Sequence, residues 1–245
     1  MMELFQSVFA PPRHLILVLG ALWVGLALAE KRTERNQVSS ESLNNLVFFG
    51  LASYLAGGRV VYALLNFPAF MQSPSSLVSL NLDLFDPPGG MLTALLTGWI
   101  YALRHNLLLR PTLDALTPCF AMLVVGISLA HLAAGTAFGR PTDLPWGIQL
   151  WGAARHPSQI YELIASVLIL CLIWFRIRTS PPGLLFVTFM ALTAAARLFL
   201  ESFRGDSTLV LGGLRLAQVI AWTVLAAALI ASERLLQSQK MQTDR

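Results

Sequence analysis

Long apolar runs without a charged residue are the feature that most constrains this chain. Residues 115–139, 179–196 and 216–232 contain no Asp, Glu, Lys or Arg. A helix that crosses a bilayer needs about 20 mostly apolar residues, and only helices or closed barrels satisfy the backbone polar groups in lipid. The runs are continuous, whereas a barrel strand alternates polar and apolar residues. The sequence therefore predicts an all-α integral membrane protein.

The composition agrees with this class. The 245 residues are 56% hydrophobic and 12% charged, against about 25% charged for a soluble domain. This excludes an ordinary cytosolic enzyme and a nucleic-acid-binding protein. Cys119 and Cys171 lie in apolar runs, and the four histidines show no paired spacing. We therefore expect no disulfide framework, no metal site and no cofactor. The N-terminus lacks the pattern of a cleavable signal peptide.

We predict seven transmembrane helices in a single domain that covers residues 1–245. The predicted spans are 14–29, 44–66, 89–104, 115–138, 158–176, 183–201 and 213–233.

The distribution of Lys and Arg predicts the orientation of these helices. One set of connections carries Lys31, Arg32, Arg35, Arg104, Arg110, Arg176, Arg178, Arg234, Lys240 and Arg245. The opposite set carries Arg13, Arg140, Arg155 and Arg204. Because cytoplasmic loops are enriched in Lys and Arg, the N-terminus is predicted outside and the C-terminus in the cytoplasm.

The longest outer connection, about 67–88, predicts an arm on the outer face. Its alternating Leu80-Asn81-Leu82-Asp83-Leu84 is typical of an extended or interfacial segment. Asp86-Pro87-Pro88-Gly89-Gly90 then predicts a turn that starts the third span.

With this topology the ionisable side chains of the spans collect in the outer leaflet. Such groups are rare in a membrane and mark function by default. The polar residues of this set are Arg59, His131, Gln159, Glu162, Arg197, Glu201 and Arg215. Arg197, Glu201 and Arg204 are spaced i, i+4 and i+7, so we expect them to share a helix face. Arginine suits phosphate because its guanidinium is planar, bidentate and always charged. A surface ladder of ion pairs without function is the alternative.

Two further motifs flank the fifth predicted span. In Arg155-His156-Pro157-Ser158-Gln159-Ile160-Tyr161-Glu162, Pro157 fits the first turn of a helix. His156 could carry a proton, since histidine titrates near neutral pH, or it could only precede the helix as a cap. The segment 139–147 contains Pro, Gly and Trp146, which predicts an ordered outer loop.

Three of these segments together resemble the prolipoprotein diacylglyceryl transferase family: RHPSQIYE at 155–162, FGRPTDLPWG at 138–147 and RLFLESFRGD at 197–206. GGRVVY at 57–62 and LRLAQ at 214–218 are weaker matches. Members of this family are multi-pass enzymes of the bacterial inner membrane. They move the diacylglyceryl group of phosphatidylglycerol onto the lipobox cysteine thiol of a prolipoprotein signal peptide, and glycerol-1-phosphate leaves. The resemblance implies this activity, these partners and this location.

The resemblance also supplies candidate roles. We expect His131, His156, Glu162 and Glu201 as catalytic residues, with His131 assigned as a replacement for a family histidine that this chain lacks. The resemblance implies Arg59, Arg140, Asp143, Gln159, Tyr161, Arg197 and Arg204 as substrate-binding residues. The two cysteines are then packing residues, because the nucleophile belongs to the substrate.

The chain departs from the family pattern at several positions. The family's His-Gly-Gly reads Pro88-Gly89-Gly90 here. In the span-four signature, Ser128 stands at an arginine position, His131 at an asparagine position and Thr136 at a glutamate position. The chain therefore resembles a divergent member, in which His131 is the leading substitute for the missing histidine and His156 the second. The alternative for His131 is a hydrogen bond to a neighbouring helix without a part in catalysis.

Two other functions stay open at this point. One is a catalytically degenerate paralogue of the same fold that binds lipid or lipoprotein. The other is a transporter for a small anion, which predicts polar residues through the inner leaflet as well. Spans five to seven offer few such residues.

Overall fold

The structure is a computed structural model that describes residues 2–33, 38–75, 79, 84–175, 181–210 and 212–243. Arg35, Arg176, Arg178, Arg245 and the alternating residues 80–83 lie outside the described residues.

Helices dominate the described part of the chain. They are α1 Met2–Val8, α2 Leu15–Glu30, α3 Ser40–Leu65, α4 Phe67–Gln72, α5 Pro87–Arg104, α6 Leu109–Ala134, α7 Ser158–Phe175, α8 Leu184–Leu200 and α9 Leu216–Thr243. Two short antiparallel hairpins accompany them, β1 Ile148–Leu150 with β2 Ala153–Arg155 and β3 Leu209–Val210 with β4 Leu214–Arg215. Each predicted span overlaps one of the longer helices.

In the part of the chain that the structure describes, five helical segments are long and apolar enough to cross a membrane, by length and composition. They are Ser40–Leu65, Leu109–Ala134, Ser158–Phe175, Leu184–Phe203 and Leu216–Met241. The helix Leu15–Glu30 is apolar but shorter. The class of a helical membrane protein is therefore confirmed, whereas the count of seven spans and the orientation stay predictions. Several span ends differ from expectation. Helix α6 covers Leu109–Ala134 where 115–138 was predicted, and α9 covers Leu216–Thr243 where 213–233 was predicted, with residues 214–215 in a strand before it.

The chain forms two compact units, Thr33–Thr112 and the combination of Met1–Arg32 with Leu113–Arg245. In the unit Thr33–Thr112, α3 packs against α5. A Cβ on Gly57 would lie 2.0 Å from Thr93 Oγ1, so glycine permits this close approach. Asp86 caps α5 by accepting from Gly89 N at 2.6 Å, which confirms that this segment starts a helix.

The other unit contains α2 and α6 to α9. Its core is built from α6, α7 and α8, which bury Ala121, Ile169, Ile173, Leu185 and Phe189. Helix α9 packs along α8. Both hairpins belong to this unit, and they adjoin the loops where the polar motifs of the sequence lie. The candidate site lies next to these loops, at the start of α7 and the end of α8.

Candidate active site

Glu162 is the centre of the polar cluster. It lies in the second turn of α7, and its side chain is 10% exposed. Its Oε1 accepts from Arg197 Nη1 at 3.1 Å and from Arg204 Nη1 at 2.8 Å. Its Oε2 lies 3.2 Å from His131 Nδ1, near the end of α6. A carboxylate only accepts, so this last contact is a hydrogen bond when His131 carries a proton on Nδ1.

A second buried carboxylate supports the two arginines. The Glu201 side chain is 1% exposed, and its Oε2 lies 3.0 Å from Arg197 Nη2 and 4.0 Å from Arg204 Nε. Charges at this depth persist only when they are paired, because the desolvation of an isolated ion is costly. The two arginines therefore form ion pairs with both buried carboxylates, Glu162 of α7 and Glu201 in the turn after α8.

Arg204 also binds the carboxylate of Asp206, two residues further along the chain. Its Nε and Nη2 donate to the two oxygens of Asp206, both at 2.9 Å, in the bidentate geometry that suits guanidinium and carboxylate. Burial lowers the pKa of Arg204, but its hydrogen bond to Asp206 and the nearby carboxylates outweigh this, so the net pKa is raised. Arg204 stays charged and its donors are largely engaged.

The ion pairs leave little positive charge for a ligand. Among the described residues they join Arg197 and Arg204 to Glu162, Glu201 and Asp206, so the cluster is not cationic while His131 is neutral. The side chains of Arg197 and His131 are 38% and 33% exposed, against 11% for Arg204. Arg197 and His131 are therefore the members that a substrate could reach.

The prediction that Arg204 shares a helix face with Arg197 and Glu201 was wrong. Helix α8 ends at Leu200, a 3₁₀ turn covers Glu201–Phe203, and Arg204 is extended at φ −75° and ψ 143°. Arg204 instead pairs with Gly139 in an antiparallel bridge. On its other side, Gly139 lies against the backbone of His156. A Cβ on Gly139 would be 2.1 Å from the His156 carbonyl oxygen, so only glycine allows this close approach. Arg204 still reaches Glu162, but from an extended residue after the helix has ended.

His156 lies outside the ionic cluster. Its ring centroid is 5.2 Å from that of Phe203 and 6.4 Å from that of Tyr161. The Tyr161 hydroxyl in turn accepts from Trp146 Nε1 at 2.9 Å. These aromatic residues line the end of an apolar groove of about 430 Å³ along α7 and α8. The structure thus separates the two histidine candidates, with only His131 beside a carboxylate.

The remaining predicted site residues have local contacts of their own. Gln159 is buried, and its Nε2 donates to Thr136 O at 3.0 Å, which ties the end of α6 to the start of α7. Arg140 and Asp143 lie exposed on the loop, where Arg140 Nη1 donates to Ser202 O at 3.3 Å. Arg59 belongs to the unit Thr33–Thr112 and donates from Nη2 to Ser79 Oγ at 2.7 Å.

Some neighbours of the cluster were not assigned a role from the sequence. Asp206 was visible two residues after Arg204, but the spacing did not show that it would bind this guanidinium. Phe203 and Trp146 carried no signal beyond being aromatic. Their contacts follow from the strand pairing of residues 138–142 with 153–156 and 203–205, which helical periodicity does not reveal.

Comparison with known proteins agrees with the motifs of the cluster. The model of the family described as prolipoprotein diacylglyceryl transferase matches residues 14–232. The phosphatidylglycerol–prolipoprotein diacylglyceryl transferase of Clostridioides difficile (strain 630) is 28% identical over 233 residues, 92% of this chain and 91% of its own length. The protein of the same name from Finegoldia magna is 25% identical over 218 residues, covering 88% and 87%. That from Ruegeria pomeroyi is 30% identical over 201 residues, covering 74% and 68%.

Proposed function

The chain belongs to the prolipoprotein diacylglyceryl transferase family, and we propose that it transfers the diacylglyceryl group of phosphatidylglycerol to the lipobox cysteine of a prolipoprotein. The reaction takes place at the outer leaflet of the bacterial inner membrane. The observation that carries the proposal is the carboxylate of Glu162, which joins His131 to Arg197 and Arg204. Two of the motifs of the family resemblance, 155–162 and 197–206, meet at this carboxylate.

The covalent step forms one bond and breaks one. The substrate thiol loses its proton, and its sulfur attacks the glycerol carbon that carries the phosphate ester. The carbon–sulfur bond forms as the carbon–oxygen bond breaks, and the electron pair leaves on the oxygen of glycerol phosphate. A thiol with a pKa near 8.5 is mostly protonated at neutral pH, so a base accelerates the step.

His131 is the proposed base. With Nδ1–H donated to Glu162 Oε2 at 3.2 Å, the free lone pair of the neutral ring is on Nε2. A carboxylate on the other ring nitrogen orients the imidazole and stabilises the imidazolium that forms. His156 has aromatic neighbours instead, so it is the second candidate.

Arg197 is the proposed phosphate ligand. It is the more exposed of the two paired arginines, at 38%, whereas Arg204 is held bidentately by Asp206. A cation beside the leaving group offsets the charge that develops there. The site around these two groups then includes Arg204, Glu201, Gln159, Tyr161, Arg140 and Asp143. The substrate-binding role of Arg59, which belongs to the other unit, stays a prediction from the sequence.

The seven-span topology is part of the proposal, with the N-terminus outside and the C-terminus in the cytoplasm. The 139–157 loop and the 67–88 arm are then outside. An Asp143→Cys variant in a Cys119→Ser, Cys171→Ser background should react with a membrane-impermeant maleimide from outside the cell. Labelling from the cytoplasmic side alone would overturn this orientation.

The activity is tested with the purified full chain in nanodiscs that contain acyl-labelled phosphatidylglycerol. A lipobox peptide should gain the label through a thioether, and glycerol phosphate should appear in equal amount. The same peptide with serine in place of cysteine is the control. No transfer where a family relative is active would contradict the proposal and favour the degenerate paralogue.

A further inference from the structure

The LRLAQ segment at 214–218 places two donors at the C-terminal end of α8. The last four carbonyls of a helix have no partner within the helix, and cations are favourable there because of the helix dipole. Gln218 Nε2 donates to Leu198 O at 3.4 Å, and Arg215 Nη1 donates to Glu201 O. Both side chains therefore cap the helix that carries Arg197.

The Glu201 carbonyl oxygen also accepts the hydrogen bond that closes the following turn. Arg204 N donates to it at 3.2 Å, which closes the 3₁₀ turn between the helix and the extended Arg204. Arg215 thus binds the same carbonyl that sets the direction in which Arg204 leaves the turn. The relative placement of Arg197 and Arg204 depends on this turn.

Arg215 is itself held in place by the β3–β4 hairpin. It pairs with Leu209 in the hairpin register, and Leu216 N donates to Thr208 O at 2.9 Å. Helix α9 starts at the next residue and packs along α8. The guanidinium is thus anchored on an element different from the one that it caps.

We propose that Arg215 is a positioning residue for diacylglyceryl transfer. It fixes the Glu201–Arg204 turn and thereby the two guanidiniums around Glu162. It acts through this turn and not by contact with the lipid phosphate. The inference rests on the proposed function, because it assigns Arg215 to the same reaction.

Kinetics of the full chain in phosphatidylglycerol nanodiscs test this role with Arg215→Gln, Arg215→Lys and the exposed Arg234→Gln as control. Misplacement of reacting groups by about 1 Å can lower a rate by about 100-fold. We expect Arg215→Gln to lower kcat by about 10- to 100-fold, with KM for phosphatidylglycerol nearly unchanged. Arg215→Lys keeps a cationic donor and should recover most of kcat, and Arg234→Gln should behave as wild type.

Three results would overturn the inference. A raised KM with unchanged kcat in Arg215→Gln would indicate direct contact with the lipid. An unchanged kcat per folded molecule, with only a lower unfolding temperature, would indicate a purely structural cap. Equal loss in the Lys and Gln variants would show that a cationic donor to this carbonyl is not what matters. Absence of transfer in the wild type would instead refute the proposed function.

Discussion

The two ends of α8 both meet buried carboxylates, but with different partners. At the N-terminal end, Asp114 of α6 is 6% exposed, and its oxygens accept from Gly183 N at 2.6 Å and Phe186 N at 2.9 Å. At the C-terminal end, Glu162 accepts from Arg197 and Arg204 and lies 3.2 Å from His131, whereas Glu201 forms ion pairs with the same two arginines.

The two ends differ in the groups that donate to the carboxylates, which are backbone N–H groups at one end and side chains at the other. The backbone amides that bind Asp114 are part of the first turn of α8, so this contact fixes α8 to α6 and satisfies free N–H groups. At the other end, the side chains of Arg197 and His131 are 38% and 33% exposed, so a substrate can reach them. Burial of a carboxylate therefore does not by itself identify a site, whereas accessible side-chain partners do.

The largest effect is expected from His131→Ala. A positioned general base contributes about 10²–10⁴ in rate, so transfer at neutral pH should fall by that factor. The loss should shrink at high pH, where the thiol ionises without a base. The measurement is the pH profile of transfer, with the exposed His105→Ala as control. Unchanged transfer in His131→Ala would remove the proposed base.

A smaller effect is expected from Arg197→Ala. Loss of a charged hydrogen bond costs about 1.5–3 kcal/mol, which is about 10- to 150-fold in affinity for phosphatidylglycerol. A zwitterionic phospholipid is the matched control and should lose less. Equal loss for both lipids, measured by binding to nanodiscs or micelles, would argue against a role in holding the anionic donor.

The opposite end of α8 should respond in stability and not in chemistry. Asp114→Asn keeps one acceptor but turns the other into a donor that faces a backbone N–H. We expect a loss of about 1.5–3 kcal/mol in the free energy of unfolding, measured as a lower thermal midpoint. Transfer per folded molecule should stay at the wild-type value. A fall in that rate would break the distinction between the two ends.

The smallest effect is expected from Cys171→Ser. Cys171 is an exposed free cysteine on α7, and surface substitutions usually change stability by no more than about 0.5 kcal/mol. Because the proposed reaction takes its thiol from the prolipoprotein, transfer should be unchanged in the same nanodisc assay. A large loss would point to a nucleophile within the chain.

The sequence predicted the helices and most members of the ionic cluster. Apolar runs determine where a membrane helix can form, and ionisable groups within such runs are so unfavourable that Glu162, Arg197 and Glu201 had to meet partners. His131 was identified in the same way, as an ionisable residue within a predicted span. These predictions rest on strong local signals.

The parts that the sequence did not reveal depend on contacts between distant segments. The prediction from the spacing required one continuous helix through Arg204, but Arg204 is extended and forms an isolated β-bridge with Gly139. Asp114 gave no signal because its partners are the backbone N–H groups of Gly183 and Phe186. The 155–162 motif also gave no indication that His156 would lie beside Phe203 and outside the ionic cluster.

The most direct measurement is transfer per folded molecule for wild type, Glu162→Gln and Asp114→Asn in the same nanodiscs. Glu162→Gln removes the charge that holds His131 and both arginines, whereas Asp114→Asn alters only the other end of α8. We predict that Glu162→Gln loses at least about 10-fold in rate, as expected for a general base that is no longer positioned, and that Asp114→Asn retains the wild-type rate. Full activity in Glu162→Gln, or loss confined to Asp114→Asn, would contradict the assignment of the chemistry to the Glu162 cluster.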